Sequence, residues 1–197
     1  MEIILATKNK NKFIEIKAIF DKSDSKHEII YYPDLIDVIE DKETILENAK
    51  KKALEVFDKY QRPVIADDSG LFVKALNGHP GVKSARYAGE EANDQDNINK
   101  LLKELENEDI RSASFKTILF FYDGQNEITA EGDLNGDITL KSRGDNGFGY
   151  DPVFQVQDGR TLAELTLDEK SEISHRRVEC IKTVSYTHLT LPTILLV

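Results

Sequence analysis

The spacing of apolar residues predicts alternating strands and helices in the first half of the chain. A short apolar run over Ile3–Ala6 is typical of a buried strand, and a polar turn follows it. Apolar residues then recur at helical spacing from Phe13 to Phe20, so the first unit is strand, polar turn and helix. Two more short strands are expected, over Ile29–Tyr32 and Pro63–Ala66.

Helix-start signals predict three further helices. Thr44 and Glu47 fit a capping box, in which the threonine hydroxyl accepts an orphan N–H and the glutamate reaches back to the cap. Thr166 and Glu169 repeat this pattern and are expected to open the last helix. Between them, a helix follows Asp94 and carries isoleucine and leucine residues on one face.

The region between the last two of these helices is rich in strand signals. Its β-branched and aromatic residues favour strands, and Asp123-Gly124 and Asn135-Gly136 are typical of hairpin turns. The expected strands are Ser114–Tyr122, Ile128–Ala130, Ile138–Leu140 and Val153–Val156. Because helices and strands are interspersed along the chain, the sequence predicts an α/β fold with a mixed, twisted sheet.

Size and composition restrict the classes of protein to which this chain can belong. Its 197 residues suit one domain, with room for a small lobe. The formal net charge of −10 argues against a general binder of nucleic acids or membrane surfaces, which would carry excess positive charge. A single cysteine, Cys180, excludes an internal disulfide and a four-cysteine zinc site. No apolar run is long enough for a signal peptide or a membrane span, so a cytoplasmic protein is expected.

The polar turn after the first strand is a candidate phosphate-binding site. Backbone N–H groups and the positive end of a helix converge on such a turn. Lys8, Lys10 and Lys12 lie at this point of an otherwise acidic chain. A polyphosphate would need such a cluster, although a solvated helix start would have the same composition. No phosphate-binding loop of the G-x-x-x-x-G-K-S/T type occurs in the chain.

Two adjacent carboxylates form a second candidate site. Asp67 and Asp68 follow the apolar strand that ends at Ala66, and adjacent side chains on extended backbone point in opposite directions. One carboxylate is therefore expected to face a cleft, where it could hold Mg²⁺ or accept a proton from water. The other would be tied to the backbone or to a lysine. An aspartate turn that simply ends the strand would have the same sequence.

A glycine-rich loop and the last helix carry the remaining candidates. Glycines allow the backbone to approach a ligand closely, and a neighbouring aromatic ring can stack on a base. The loop residues are Phe148, Gly149, Tyr150 and Asp151, and the donors of the last helix are Lys170, His175 and Arg176. Together, the phosphate cradle, the metal carboxylate and the stacking aromatic suit one ligand, a nucleoside triphosphate.

Six further observations concern whole segments: Leu5–Lys12, Glu47–Ala49, Ala66–Leu71, Pro80–Tyr87, Gly147–Phe154 and Glu169–Arg176. In order and spacing, these segments resemble the Ham1-like family of inosine and xanthosine triphosphate pyrophosphatases. The resemblance implies a two-lobed fold around a long curved sheet, with the active site in the cleft between the lobes. It also implies Mg²⁺-dependent hydrolysis of ITP, dITP and XTP to the nucleoside monophosphate and pyrophosphate, by a homodimer.

The resemblance also implies roles for individual residues. The triphosphate would be gripped by Thr7, Lys8, Asn9, Lys10, Asn11 and Lys12. Asp68 would accept the proton of the attacking water and bind Mg²⁺, with Glu40 as the second metal carboxylate and Glu47 in reserve. Ser69 would contact the substrate. The base pocket would be lined by Phe148, Gly149, Tyr150, Asp151, Lys170, His175 and Arg176.

Selection of deaminated purines has a physical basis in these residues. Donors such as Lys170 or Arg176 can bond the 6-oxo group of hypoxanthine or xanthine. Adenine presents an amino donor instead, which would leave the buried donors unpaired at a cost of about 1–3 kcal/mol each. Two alternatives remain open: a Maf-like pyrophosphatase that acts on pyrimidine nucleotides, and a nucleotide-binding sensor without turnover.

The end of the chain departs from the family pattern. Residues 1–184 are expected to form a single two-lobed nucleotide pyrophosphatase domain. Residues 185–197 contain no Asp, Glu, Lys or Arg and end in an apolar run around Pro192. We expect this tail to be foreign sequence, from a frameshift or a cloning read-through, and resequencing of the source DNA would test that.

Overall fold

The computed structural model describes residues 1–22 and 27–173, which contain seven strands in one mixed sheet and four α-helices. The strands are β1 Glu2–Leu5, β2 Glu28–Ile30, β3 Val64–Val73, β4 Pro80–Gly81, β5 Ser112–Tyr122, β6 Glu127–Ile138 and β7 Phe154–Gln155. The helices are α1 Lys10–Asp21, α2 Ile45–Tyr60, α3 Asp94–Glu104 and α4 Leu167–Ile173.

The sheet follows the order β2-β1-β3-β5-β6-β7, and β4 pairs with the far end of β3. β1 runs parallel to both β2 and β3, whereas antiparallel ladders join β3, β5, β6 and β7. The predicted α/β class, with a mixed sheet flanked by helices, is therefore confirmed. Among the described residues, no helix is long and apolar enough to cross a membrane.

Alternating side chains of the sheet build two cores on opposite faces. Ile3 and Ile65 pack with α1 on one face, because strand side chains alternate between the faces. Ile4 and Val64 pack with α2 on the other. A third core, at the far end of β3 and β5, joins α3 to the loop around Tyr150. The long strands β3, β5 and β6 thus connect a lobe built on α1 and α2 to a lobe built on α3.

The segment Asp67–Gly70 lies within β3 and not after it, so the strand predicted over Pro63–Ala66 is wrong at its end. β3 continues to Val73 because β5 pairs with all ten of its residues, starting at Val64. This long-range ladder overrides the turn signals of two aspartates, a serine and a glycine. The candidate carboxylates are consequently held on a strand, which sets the directions of their side chains.

The hairpin turn predicted at Gly136 is also wrong, because β6 passes through it as one continuous strand. The expected strand Ile128–Ala130 therefore continues to Ile138, whereas Thr139 and Leu140, which were expected in a separate strand, lie after its end. A Cβ at Gly136 would lie 2.3 Å from the carbonyl oxygen of Gln155 and 2.7 Å from the ring of Phe154. The glycine thus lets β7 approach β6 closely. The other predicted hairpin, between β5 and β6, is confirmed.

Candidate active site

A gap along the outer edge of β3 forms the centre of the candidate site. β1 pairs with β3 at Val64–Ile65, and β4 pairs with it at Leu71–Phe72. Between these contacts, Asp67–Gly70 pair with β5 on one side and have no strand of the described chain on the other. Backbone groups at this edge therefore depend on side chains for hydrogen bonds, and the edge opens on a cleft.

Lys52, on α2, donates one of the hydrogen bonds that a neighbouring strand would otherwise provide at this edge of β3. Its ammonium donates to the backbone carbonyl of Asp67 and, at 2.5 Å, to Oε1 of Glu40, and it lies 3.9 Å from Oδ1 of Asp68. Burial would lower the pKa of Lys52, but the charges of Asp68 and Glu40 outweigh burial, so the pKa is raised. A buried ammonium therefore stays charged and holds three acidic residues around the gap.

Sequence reasoning missed Lys52, although the helical pattern contained a signal. Lys52 lies three residues after Ala49 and four before Val56, both of which are fully buried on the same face of α2. A lysine inside such an apolar stripe must find an anionic partner, because a buried charge without one is very costly.

Asp68 has the environment of a proton acceptor. Burial raises the pKa of this carboxyl to about 6, and the charge of Lys52 opposes the shift only in part. Its Oδ1 accepts the backbone N–H of Ser69 at 2.9 Å. Within residues 1–22 and 27–173, its buried Oδ2 has no hydrogen-bond partner, although the residue lines the cleft. A buried acceptor without a partner is costly, so this oxygen suits a cation or a water proton.

Glu40, and not Glu47, lies beside Asp68 at the cleft. Burial would raise the pKa of Glu40, but the charge and hydrogen bond of Lys52 hold it below its usual range. The backbone carbonyl of Glu40 accepts Nη2 of Arg86 at 2.8 Å, which anchors a loop without regular structure. Glu47 is exposed, and its Oε2 accepts the N-cap hydroxyl of α2 at 2.8 Å. Of the predicted capping box, the bond from the N–H of Glu47 to the hydroxyl of Thr44 is present, at 3.1 Å.

Asp67 is held on the opposite face of β3. Lys12 Nζ lies 3.1 Å from its Oδ2, and Ser69 Oγ donates to the same oxygen at 3.0 Å. The hydroxyl of Thr117, on β5, hydrogen-bonds Ser69 in turn. The expected division of the two carboxylates is therefore present: Asp68 lines the cleft, and Asp67 is tied to a lysine.

The start of α1 brings Asn9 and Lys12 to the cleft but differs from the expected backbone cradle. The side chain of Asn9 accepts the N–H groups of Asn11 and Lys12, at 2.9 and 3.1 Å. Thr7 Oγ1 accepts the N–H of Asn9 at 3.1 Å. Because these N–H groups already have partners, the lysine ammonium groups would have to provide most of the contact with phosphate.

Two neighbouring cavities form the cleft. The first, of about 140 Å³, is lined among others by Asn9, Lys12, Glu40, Asp68, Ser69, Asp94 and residues 148–151. The second, of about 270 Å³, is lined among others by Thr7, Lys8, Asn9, Lys12, Glu40 and Lys52. Asn9, Lys12 and Glu40 line both, so the cavities meet beside the carboxylates. Lys10 and Asn11 are exposed and line neither.

A buried ion-pair cluster supports the glycine-rich loop. The N–H of Phe148 donates to Oδ2 of Asp151 at 2.8 Å. Lys170 donates to the same oxygen and, at 2.6 Å, to Oε1 of Glu15. A Cβ at Gly147 would lie 2.1 Å from Oδ2 of Asp151, so a glycine is required for this contact.

Lys170 is buried under this loop and is not among the residues that line the two cavities. Its ammonium lies 5.1 Å from the centroid of the Phe148 ring. Burial raises the pKa of Asp151, and the charge of Lys170 opposes the shift. Lys170 thus supports the loop, and its contact with the base stays a prediction. His175, Arg176 and the tail 185–197 lie outside the described residues.

The cleft contains carboxylates that fit Mg²⁺ together with phosphate. Within residues 1–22 and 27–173, no group of three or more His, Cys, Asp or Glu side chains could hold an ion alone. Mg²⁺ is commonly held by one or two carboxylates and the phosphates of the substrate. The carboxylates of Glu40 and Asp68, which both line the cleft, match that donor set.

Lysines and carboxylates that meet across one cleft suit an enzyme that hydrolyses phosphoanhydride bonds. The model of the Ham1 family matches residues 3–184. The chain therefore belongs to the Ham1 family, which confirms the resemblance noted in the sequence.

Individual relatives agree with this assignment. The dITP/XTP pyrophosphatase of Shouchella clausii is 46% identical over 179 residues, which cover 89% of this chain and 90% of that protein. The dITP/XTP pyrophosphatase of Halalkalibacterium halodurans is 47% identical over 182 residues, which cover 89% of this chain and 93% of that protein. The solved Staphylococcus aureus Ham1 protein is 38% identical, with a TM-score of 0.83 over 95% of this chain and 98% of that one. The predicted enzyme class, a nucleoside triphosphate pyrophosphatase, is confirmed.

Proposed function

We propose that the chain hydrolyses the deaminated purine nucleotides ITP, dITP and XTP to the nucleoside monophosphate and pyrophosphate, with Mg²⁺. The observation that carries this proposal is the meeting of three groups in one cleft. Lys12 comes from the first turn of α1, Asp68 from the gap in β3, and Phe148 from the glycine-rich loop. One nucleotide can contact all three through its phosphates, its metal and its base.

The phosphates would lie between the start of α1 and the gap in β3. Lys12 and Lys8 offer ammonium groups there, and Lys8 is paired with Asp37 at 2.6 Å on the exposed rim. Mg²⁺ held by Glu40 and Asp68 would neutralise charge on the phosphates. These positive charges favour in-line attack at the α-phosphorus, because negative charge builds up on its oxygens.

Asp68 would accept the proton of the attacking water. Its carboxyl has a pKa of about 6, so it is ionised at neutral pH and still basic enough to take a proton. Its Oδ2 is the oxygen suited to this role, because Oδ1 already accepts the N–H of Ser69. The charge of Lys52 keeps the pKa of Asp68 from rising further, which preserves the ionised form near pH 7.

The purine would stack on Phe148 in the smaller cavity. Stacking accepts any purine, so discrimination must come from groups at the edge of the base. Hypoxanthine and xanthine present a 6-oxo acceptor there, whereas adenine presents an amino donor. A donor at the edge of the base would favour the oxo group, and the resemblance gives Lys170 and Arg176 as candidates. Lys170 would have to exchange its contacts with Asp151 and Glu15 for the base.

A panel of nucleotides tests this proposal through the release of pyrophosphate. We expect kcat/KM for ITP, dITP and XTP to exceed that for ATP by about tenfold or more, because the amino group of adenine leaves a buried donor unpaired. GTP carries the same 6-oxo group, so its exclusion would have to act on its 2-amino group. The pyrimidine nucleotides dTTP and UTP should be the poorest substrates. Fastest turnover of dTTP or UTP would favour the pyrimidine-specific alternative, and equal rates for ITP, ATP and GTP would contradict the proposal.

We also propose that the chain works in the cytoplasm as a homodimer, as the family resemblance implies. Sedimentation velocity would measure the mass of the particle in solution. A mass of twice the 22.3 kDa of one chain supports the dimer, and a mass equal to one chain contradicts it.

Glu40→Gln is expected to raise the Mg²⁺ concentration for half-maximal activity by about tenfold, because it removes one of two anionic metal ligands without changing the shape of the side chain. The measurement is pyrophosphate release from ITP as Mg²⁺ is varied. Glu47→Gln is the matched control, since Glu47 is exposed and lines neither cavity. Its Mg²⁺ requirement should equal that of the wild type. An equal requirement in both variants would contradict the role of Glu40.

A further inference from the structure

Asp94 makes a contact that the mechanism above does not use. It is the first residue of α3, and its Oδ2 accepts the backbone N–H of Gly149 at 2.7 Å. The preceding N–H in the chain, that of Phe148, donates to Oδ2 of Asp151 at 2.8 Å. Two carboxylates thus hold two consecutive N–H groups of the glycine-rich loop, one carboxylate from α3 and one from the loop itself.

The backbone around Phe148 lies outside any helix or strand. Gly147 and Gly149 flank it with φ of +77° and +60°, the left-handed region that favours glycine. In such a segment, the hydrogen bonds of the N–H groups decide how each peptide plane is turned. The planes before and after Phe148 set the direction of its Cα–Cβ bond, so the two carboxylates orient the ring.

Asp94 is itself attached to a well-anchored helix. α3 begins with a capping box in which Asn93 and Asp96 exchange hydrogen bonds at 3.0 Å. Asn97 is buried and bonds two backbone groups of residues 85–88, which fixes the first turn of α3 against that segment. The contact of Asp94 therefore ties the loop to a fixed point of the cleft wall.

We propose that Asp94 is a positioning residue that holds the Phe148 ring in the orientation on which a purine stacks. The proposal rests on the proposed function, because it takes Phe148 as the stacking surface. Asp94 is exposed, and an acidic residue in the first turn also stabilises a helix through the helix dipole. The experiment therefore has to separate the orientation of the ring from the stability of α3.

Asp94→Ala is expected to raise KM for ITP by about fivefold and to change kcat by less than about twofold. The stacked base contributes to binding, whereas the reacting phosphorus lies at the other end of the nucleotide. KM for XTP should rise by the same factor, because stacking does not distinguish one purine from another. Asp94→Asn should restore most of the wild-type KM, since the amide oxygen can accept the same N–H.

Asp96→Ala is the matched control for the stability of α3. Asp96 is also an exposed acidic residue of the first turn, and its loss removes the capping box without touching the loop. This variant should lower Tm at least as much as Asp94→Ala does, while KM for ITP stays at the wild-type value. Equal changes of KM in the two alanine variants would overturn the proposal.

The fluorescence of a tryptophan at position 148 would report directly on stacking between this side chain and the base. The chain contains no tryptophan, so Phe148→Trp introduces a single tryptophan, whose emission is read apart from that of the seven tyrosines. IMP should quench it by stacking, and adding Asp94→Ala should raise the midpoint concentration of IMP about fivefold. Absence of quenching would overturn the stacking surface in the proposed function, and the role of Asp94 with it. Quenching with an unchanged midpoint would overturn the role of Asp94 alone.

Discussion

Asp68→Asn is expected to lower kcat for ITP by about 10³-fold, because a general base contributes about 10²–10⁴-fold to such a reaction. Asparagine keeps the size of the side chain but cannot take the proton of the attacking water at Oδ2. At saturating Mg²⁺, KM should change little, since Lys12, Glu40 and Phe148 would still hold the phosphates, the metal and the base. The measurement is steady-state release of pyrophosphate at saturating Mg²⁺.

The fold should survive this substitution. Burial raises the pKa of Asp68 to about 6, so at pH 7 its ionised form destabilises the native state relative to the unfolded chain. Asparagine removes that charge, and Lys52 keeps Glu40 and the carbonyl of Asp67 as partners, so Tm at pH 7 is expected to change little. A kcat within about tenfold of the wild type, in a variant with the wild-type Tm, would contradict the role of Asp68 as proton acceptor.

Asp67→Asn is the matched control, since the same change is made one residue away on the other face of β3. Asp67 contacts Lys12 and Ser69, so its loss should release Lys12 and weaken the binding of the phosphates. We expect Asp67→Asn to act mainly on KM and Asp68→Asn mainly on kcat. Equal losses of kcat in both variants would show that the whole edge of β3, rather than one proton acceptor, is responsible.

Lys52→Met is the second substitution with a large expected effect. Methionine fills similar space, but it leaves the carboxylates of Glu40 and Asp68 without their shared cation and the carbonyl of Asp67 without its donor. Removing one partner of a buried charge pair costs about 3–5 kcal/mol of the free energy of unfolding. Thermal denaturation should show a fall in Tm of about 10 °C for a chain of this size.

The pH dependence of activity separates the charge of Lys52 from simple instability. Activity requires ionised Asp68, so wild-type kcat/KM should fall as the pH drops below the pKa of Asp68, about 6. The charge of Lys52 lowers the pKa of Asp68, and its removal therefore raises that pKa further. The acid limb of the profile should move to higher pH in Lys52→Met, and the variant should regain activity as the pH increases.

Lys50→Met is the control for this profile. Lys50 lies on the same helix but pairs with Glu127 at the surface, at 2.7 Å, and such pairs contribute about 0–1 kcal/mol. The acid limb of the pH profile of Lys50→Met should coincide with that of the wild type. Titration of the triphosphate falls in the same range but is common to all variants. An acid limb that stays in place in Lys52→Met, or moves to lower pH, would contradict the role assigned to Lys52.

Local patterns predicted the elements that depend on neighbours in sequence. The first strand-turn-helix unit and the start of α2 at Thr44 follow from apolar spacing and capping. The predictions failed where contacts with a distant segment determine whether residues form a strand or a turn. Asp67–Gly70 have the composition of a strand end, but the ladder with β5 keeps them extended. Gly136 has the composition of a turn, but it makes room for Phe154.

The same division applies to the candidate site. Lys12 and Asp68 were identified from their own segments, and the structure brings both to one cleft. Lys52 was missed because its partners meet it only when α2 packs beside the gap in β3. Glu40 could be placed only by resemblance, since its loop is anchored by Lys52 and by Arg86, 12 and 46 residues away.

The position of the solvent oxygen in the products shows which phosphorus the water attacks. Hydrolysis of ITP in ¹⁸O-labelled water, with Mg²⁺ and under single-turnover conditions, is expected to place the label in IMP and to leave pyrophosphate unlabelled. This result follows if water activated at Asp68 attacks the α-phosphorus. Mass spectrometry of the two products provides the measurement. Label in pyrophosphate, or release of orthophosphate in its place, would contradict attack of the water on the α-phosphorus.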